Sequence, residues 1–107
     1  MQILSRNDEI LMLAILRLRD EACGVSIIQE VLIRTGKRLT FGSLWVSLDI
    51  LFKRGLINKR MADPTPERGG RAKRFFQVEP AGITSVKESR NALVSMWEDL
   101  DPVLEDK

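Results

Sequence analysis

The sequence contains no histidine and a single cysteine, Cys23. Without histidine, neither a Ser-His nor a Cys-His nucleophile pair can be assembled, nor a zinc site with imidazole ligands. One thiol closes no internal disulfide, so a cross-linked secreted scaffold is excluded. Cys23 is read as a small buried apolar residue, because a thiol sensor needs both exposure and a lowered pKa. Long apolar runs are missing as well. The longest, Ile10 to Leu16, falls far short of the ~20 residues that span a bilayer. Charges appear as early as Arg6 and Asp8, so the N-terminus does not read as a signal peptide, and a cytoplasmic protein with no membrane partner is expected. No Gly-x-Gly-x-x-Gly or Walker sequence occurs, and acid pairs such as Asp20-Glu21 and Glu98-Asp99 lie on polar stretches where they are most simply solvated. Neither catalysis nor a metal or cofactor is expected.

What is present suits one small globular domain of 107 residues, 44% hydrophobic and 30% charged. So short a chain buries a modest share of its surface, and pairing with a second copy would help it. The net charge of +2 conceals a segregation along the chain. Residues Met1 to Ile33 carry a net −2 and Phe75 to Lys107 a net −4, whereas Arg34 to Arg74 hold eleven bases against three acids, a net +8. A basic middle third points to a polyanion as partner; a solvated basic surface is the plainer alternative.

Ser5 looks like the N-cap of a helix from Arg6 to about Arg19, with Asp8 and Glu9 near its positive end. Ile10 to Leu16 make the middle of that helix apolar all round, which calls for cover on several sides, some of it from a partner chain. A short turn, Asp20 to Gly24, leads to a second helix with Ile27, Ile28, Val31 and Leu32 on one face and Gly36 as its stop. Thr40 can cap a third helix through Arg54, ended by Gly55. Leu44, Leu48, Leu51 and Phe52 then face inward, Gly42, Ser43, Val46, Asp49, Ile50 and Lys53 outward, and Trp45 and Ser47 lie on the flanks. Leu56 to Met61 and Lys73 to Val78 read as two strands around a loop rich in proline and glycine. Pro80 opens a long last helix whose seam is Ile83, Val86, Leu93, Trp97 and Leu100, closed by Pro102. The order predicts a mainly α fold: a winged helix-turn-helix with a two-stranded wing in residues 1–79, and a C-terminal dimerisation helix and tail in residues 80–107, together one structural unit.

A helix entering the major groove by its N-terminal end needs small or polar residues there, where free backbone N–H groups also favour phosphate. Thr40, Gly42, Ser43 and Ser47 meet that need, with Trp45 at the edge, Lys53 at the far end and Val46 suited to a thymine methyl. The hairpin adds Arg60, Arg68, Arg71, Lys73 and Arg74 as long cations for phosphates or the minor groove. Singly, each of these residues is as well explained by capping or solvation. Their joint order is what points to double-stranded DNA.

The same segments resemble PadR-family regulators: Gly42-Ser43-Leu44-Trp45-Val46-Ser47-Leu48, Lys53-Arg54-Gly55-Leu56-Ile57, the wing from Pro64 through Gly69-Gly70-Arg71 to Phe76, and Pro80-Ala81-Gly82. The resemblance spans about Ser5 to Leu100. It implies a winged helix, a homodimer built through the last and first helices, repression of promoter DNA, and a short family form with one C-terminal helix. A small-molecule inducer is a further partner that the family allows without fixing its pocket. The chain departs from the pattern at Trp45, where tyrosine is usual, at Phe52 in place of glutamate, and at Phe76-Gln77-Val78-Glu79. Tryptophans on the last helix stack on planar drugs in some members. Trp97 here completes the apolar seam, and packing is the preferred reading. The rival to a DNA-reading repressor is a winged fold kept for protein–protein contacts, against which the net +8 segment argues.

Overall fold

The computed structural model describes residues 3–62 and 73–105. Helix α1 (Arg6–Leu18) starts where expected: the Ser5 hydroxyl accepts the Asp8 N–H at 3.1 Å, satisfying one of the free donors of the first turn. It ends one residue early because Arg19 turns to a positive φ of 54°, followed by a single 3-10 turn, Arg19–Glu21. Helix α2 (Gly24–Thr35) stops at Gly36, whose φ of 75° is the left-handed conformation that glycine adopts without a Cβ penalty. Helix α3 (Phe41–Lys53) is capped by Thr40, and strands β1 (Ile57–Ala62) and β2 (Lys73–Val78) pair antiparallel with Ile57 opposite Val78 and Ala62 opposite Lys73. Helix α4 runs Pro80–Trp97.

Leu11, Met12 and Ile15 of α1, Ile27 and Val31 of α2, and Leu44, Leu48 and Leu51 of α3 meet over Ile57 and Phe76 of the hairpin to form one core. The segment read as a plain turn also serves the sheet. Cys23 forms an antiparallel bridge with Phe75, and the Phe76 N–H reaches the Ala22 carbonyl at 2.8 Å. This third, one-residue strand has no periodicity of its own, so nothing in the sequence announces it.

Leu13 and Leu16 of α1 stay exposed in the single chain, the part of that helix left for cover from outside. Two expectations need correction. Phe52 does not join the inward face of α3; it lies at the rim with 38% of its surface exposed. The last helix does not continue to Leu100 with Pro102 as its stop. It breaks after Trp97, Asp99 takes a φ of 62°, and Pro102 lies inside a short helix α5 (Asp101–Glu105). Proline is tolerated there because the first-turn N–H groups of a helix lack acceptors in any case.

Helix α4 packs on its own domain through small residues at helical spacing, Gly82, Ser85, Val86 and Ser89. The tightest point is Gly82, where a Cβ would collide with the Leu56 backbone oxygen and come within 2.7 Å of Met12 Cε and Val78 Cγ1. That oxygen already accepts the Glu79 N–H at 2.9 Å and cannot withdraw. The glycine of the Pro80-Ala81-Gly82 motif is thus a packing requirement. Gly82→Ala is expected to destabilise the fold by about 2–3 kcal/mol despite alanine's better helix propensity, because it overpacks a backbone contact. Urea unfolding checks this; unchanged or increased stability would refute the close approach.

Candidate nucleic-acid interface

Buried Leu44, Leu48 and Leu51 fix the rotation of α3 and leave Gly42, Ser43, Val46, Asp49 and Ile50 exposed on the opposite side, while Phe41, exposed at the helix start, lies towards Gly24 of α2. Val46 is 62% exposed, Ile50 and Phe41 50% each. This surface is small and apolar, with one acid. Thr40 accepts the Ser43 N–H at 3.1 Å, and the hydroxyls of the two residues lie 3.0 Å apart, so Ser43 is engaged with its cap. Ser47 is half-buried, its hydroxyl 3.5 Å from the Asn7 amide nitrogen of α1. Lys53 at the far end pairs with Asp49 at 2.9 Å. That hydrogen bond, with the charges of Lys53 and Lys59 adding to it, holds the Asp49 carboxyl below its usual range.

Four cations lie on the described part of the hairpin, and each lies over an aromatic ring. On the side facing α3, the Lys59 ammonium lies 4.4 Å from the centre of Phe52 and the Arg74 guanidinium 5.3 Å from Trp45. On the opposite side, Arg60 and Lys73 share the ring of Phe75 at 4.7 and 5.5 Å, and Arg60 also donates to the Asp20 carbonyl at 3.3 Å. Strand alternation produces the split: residues 59 and 74 project to one face of the ribbon, 60 and 73 to the other. A ring holds a cation in place without neutralising it, as a carboxylate would.

Trp45 is the fixed point of the α3 side. Gly24 at the start of α2 lies under it, so close that a Cβ there would stand 3.3 Å from the indole, and the Phe76 ring packs against it at 5.8 Å between centres. Trp45, Phe52, Lys59 and Arg74 border a cleft of about 240 Å³ between α3 and the hairpin, floored by Leu48 and Phe76.

Of the residues expected to touch DNA, Thr40, Ser43, Trp45, Val46 and Ser47 lie together along α3, Lys53 is tied to Asp49, and Arg60 and Lys73 lie on the far face of the ribbon. Arg68 and Arg71 fall outside the described residues. Lys59 was not singled out by sequence; the signal that finds it is its register, two residues from Ile57 on the face that packs against α3. Cys23 is buried, as expected, and lies at the N-cap of α2. Burial raises its thiol pKa, but hydrogen bonds from Ser26, with Lys73 nearby, outweigh burial and leave the thiol below its ordinary value. Among the described residues no cluster could hold a metal ion, and no helix is long and apolar enough to cross a membrane.

No family model and no curated protein matches the chain. Solved structures do share its fold. A PadR family transcription regulator from Clostridium difficile is 18% identical, with a TM-score of 0.71 over 91% of this chain and 97% of that one. A PadR family transcriptional regulator from Eggerthella lenta is 18% identical, with a TM-score of 0.70 over 95% and 87%. A transcriptional regulator from Clostridium thermocellum is 17% identical, with a TM-score of 0.72 over 94% and 97%. The chain has the winged-helix fold of PadR-family regulators.

Proposed function

We propose that this chain is a PadR-type transcription regulator that binds promoter DNA in a sequence-specific manner and represses as a homodimer. The observation that carries the reading is the pair of ring-held cations Lys59 and Arg74 on the hairpin face beside α3, neither of which makes an ion pair among the described residues. With α3 in the major groove and the β1–β2 ribbon beside it, the two elements straddle one phosphate strand. Lys59 and Arg74, between them, face that strand. The apolar outward residues of α3 match thymine methyls, and specificity then depends on shape and on two half-sites about one DNA turn apart.

The homodimer rests on the overhang of α4. Beyond Leu93, which borders a small cleft with Ile3 and Leu4, the helix leaves its own domain, and residues 90–105 are all exposed. Leu93 and Trp97 continue the face that, lower down, carries Gly82, Val86 and Ser89. At its base, Ile83 and Val86 border a cleft of about 350 Å³ with Leu13 and Leu16 of α1. A second α4 laid in this cleft covers the apolar side of α1 that the single chain leaves open. Leu100 of the expected seam lies past the end of the helix.

The DNA reading is tested on α3 itself. Ser43→Ala with Val46→Ala is expected to reduce the preference for operator over random DNA by about 10²–10³-fold, two base contacts per subunit and four per dimer each contributing up to ~1 kcal/mol. Non-specific binding stays nearly intact. Fluorescence anisotropy with both DNAs measures the ratio; equal losses on the two would remove base reading from this face.

A further inference from the structure

On the other side of α1, between α1 and α2, a second cleft of about 200 Å³ opens over Ile10, Ala14 and Val31. Arg17 and Arg34 form its rim and share one carboxylate: Glu30 Oε2 accepts from both, at 3.2 and 3.1 Å. Two guanidinium groups against one acid leave the rim positive, and both arginine side chains are at least half exposed.

Helix α5 has the complementary character. Val103 and Leu104 are 66% and 51% exposed, flanked by Asp101 and Glu105. The α4 seam of the proposed dimer does not use them. Nor does α5 lie against its own domain: the molecule is 57 Å long and 21 Å thin, and residues 101–105 are all exposed. Leu13 borders both clefts of α1, so a partner α4 lying in one brings its chain end towards the other.

We propose that α5 of one copy docks in the α1–α2 cleft of its partner, with Val103 and Leu104 on the apolar floor and Asp101 and Glu105 against Arg17 and Arg34. The two-fold axis makes the exchange reciprocal. The proposal rests on the homodimer reading but is separable from it.

The test uses full-length chains in a Cys23→Ser background, since serine serves as an N-cap as well. One chain carries Arg34→Cys, a differently tagged one Val103→Cys; they are mixed, oxidised mildly and run without reductant, with light scattering on the same samples. A disulfide joining the two tags is expected. A dimer that yields none overturns the docking and leaves the dimer standing, whereas a monomer overturns both. A single chain carrying both cysteines that closes on itself would also count against docking on a second copy. Charge reversal is the second measurement. Arg17→Glu with Arg34→Glu, or Asp101→Lys with Glu105→Lys, is expected to weaken dimer affinity roughly tenfold, four exposed pairs per dimer being lost. Combining all four reversals restores it. An unrestored quadruple variant overturns the pairing, as would an acidic partner peptide occupying the cleft while the tail stays free.

Discussion

Leu93→Asp is expected to convert the protein from a dimer to a monomer in light scattering, with dimer affinity falling at least 100-fold. Leu93 lies at the start of the overhang of α4, 39% exposed at the edge of a cleft with Ile3 and Leu4 and outside the buried core, so the change costs its own domain little. In the dimer the two-fold axis brings two copies of the residue to the interface. Each loses about 1.5–3 kcal/mol of apolar burial, and each adds a carboxylate without a partner. The melting temperature of the diluted protein should move little, because residues 90–105 contribute no buried side chain to the core. A variant that stays dimeric would place the interface elsewhere, and a monomeric wild type would remove the homodimer altogether.

Lys59→Ala combined with Arg74→Ala is expected to flatten the salt dependence of DNA binding. Two phosphate contacts per subunit are lost, four per dimer, and each contributes about 0.9 to the slope of log K against log salt. The slope should fall by roughly 3–4, and affinity at 0.1 M salt by about 10²–10³-fold on operator and random DNA alike. Arg60→Ala serves as the internal comparison. Its guanidinium is turned to the Asp20 carbonyl on the far face of the ribbon, so its loss should cost much less. If Arg60 mattered more than Lys59 and Arg74, the straddled strand would lie on the other side of the hairpin. Trp45→Ala should act with Arg74→Ala rather than add to it, since the indole holds the guanidinium.

The reach of the sequence here follows from what kind of interaction decides each feature. Local chemistry was legible: the Ser5 and Thr40 caps, the stop at Gly36, the three inward leucines of α3 and the limits of β2 all depend on neighbours within a few residues. Features set by distant contacts were not. Cys23 and Ala22 join the sheet because Phe75 and Phe76 lie beside them, fifty residues on. Glu79 stands at the N-cap position of α4, yet its carboxylate accepts from the distant Asn58 side chain at 2.8 Å and makes no side-chain cap. Helix α4 reads as an apolar seam, but its domain-facing stripe is made of Gly82, Ser85 and Ser89, which carry no hydrophobic signal. The same limit applies to the site. The basic character of the hairpin is plain in the sequence, while the pairing of each cation with a ring, and so the face it presents, depends on register and on Trp45 and Phe52 across the cleft.

The central claim is that a dimeric winged helix reads DNA through α3 and grips the phosphates through the hairpin. It is tested most directly by fluorescence anisotropy of the wild-type protein on the DNA upstream of its own gene and on random DNA of equal length, across salt concentrations. The account predicts a saturable complex of one dimer per site, a steep fall in affinity with salt on both DNAs, and a preference for the upstream DNA that survives at high salt. Equal affinity for the two DNAs at every salt concentration, or no binding at low salt, would contradict it.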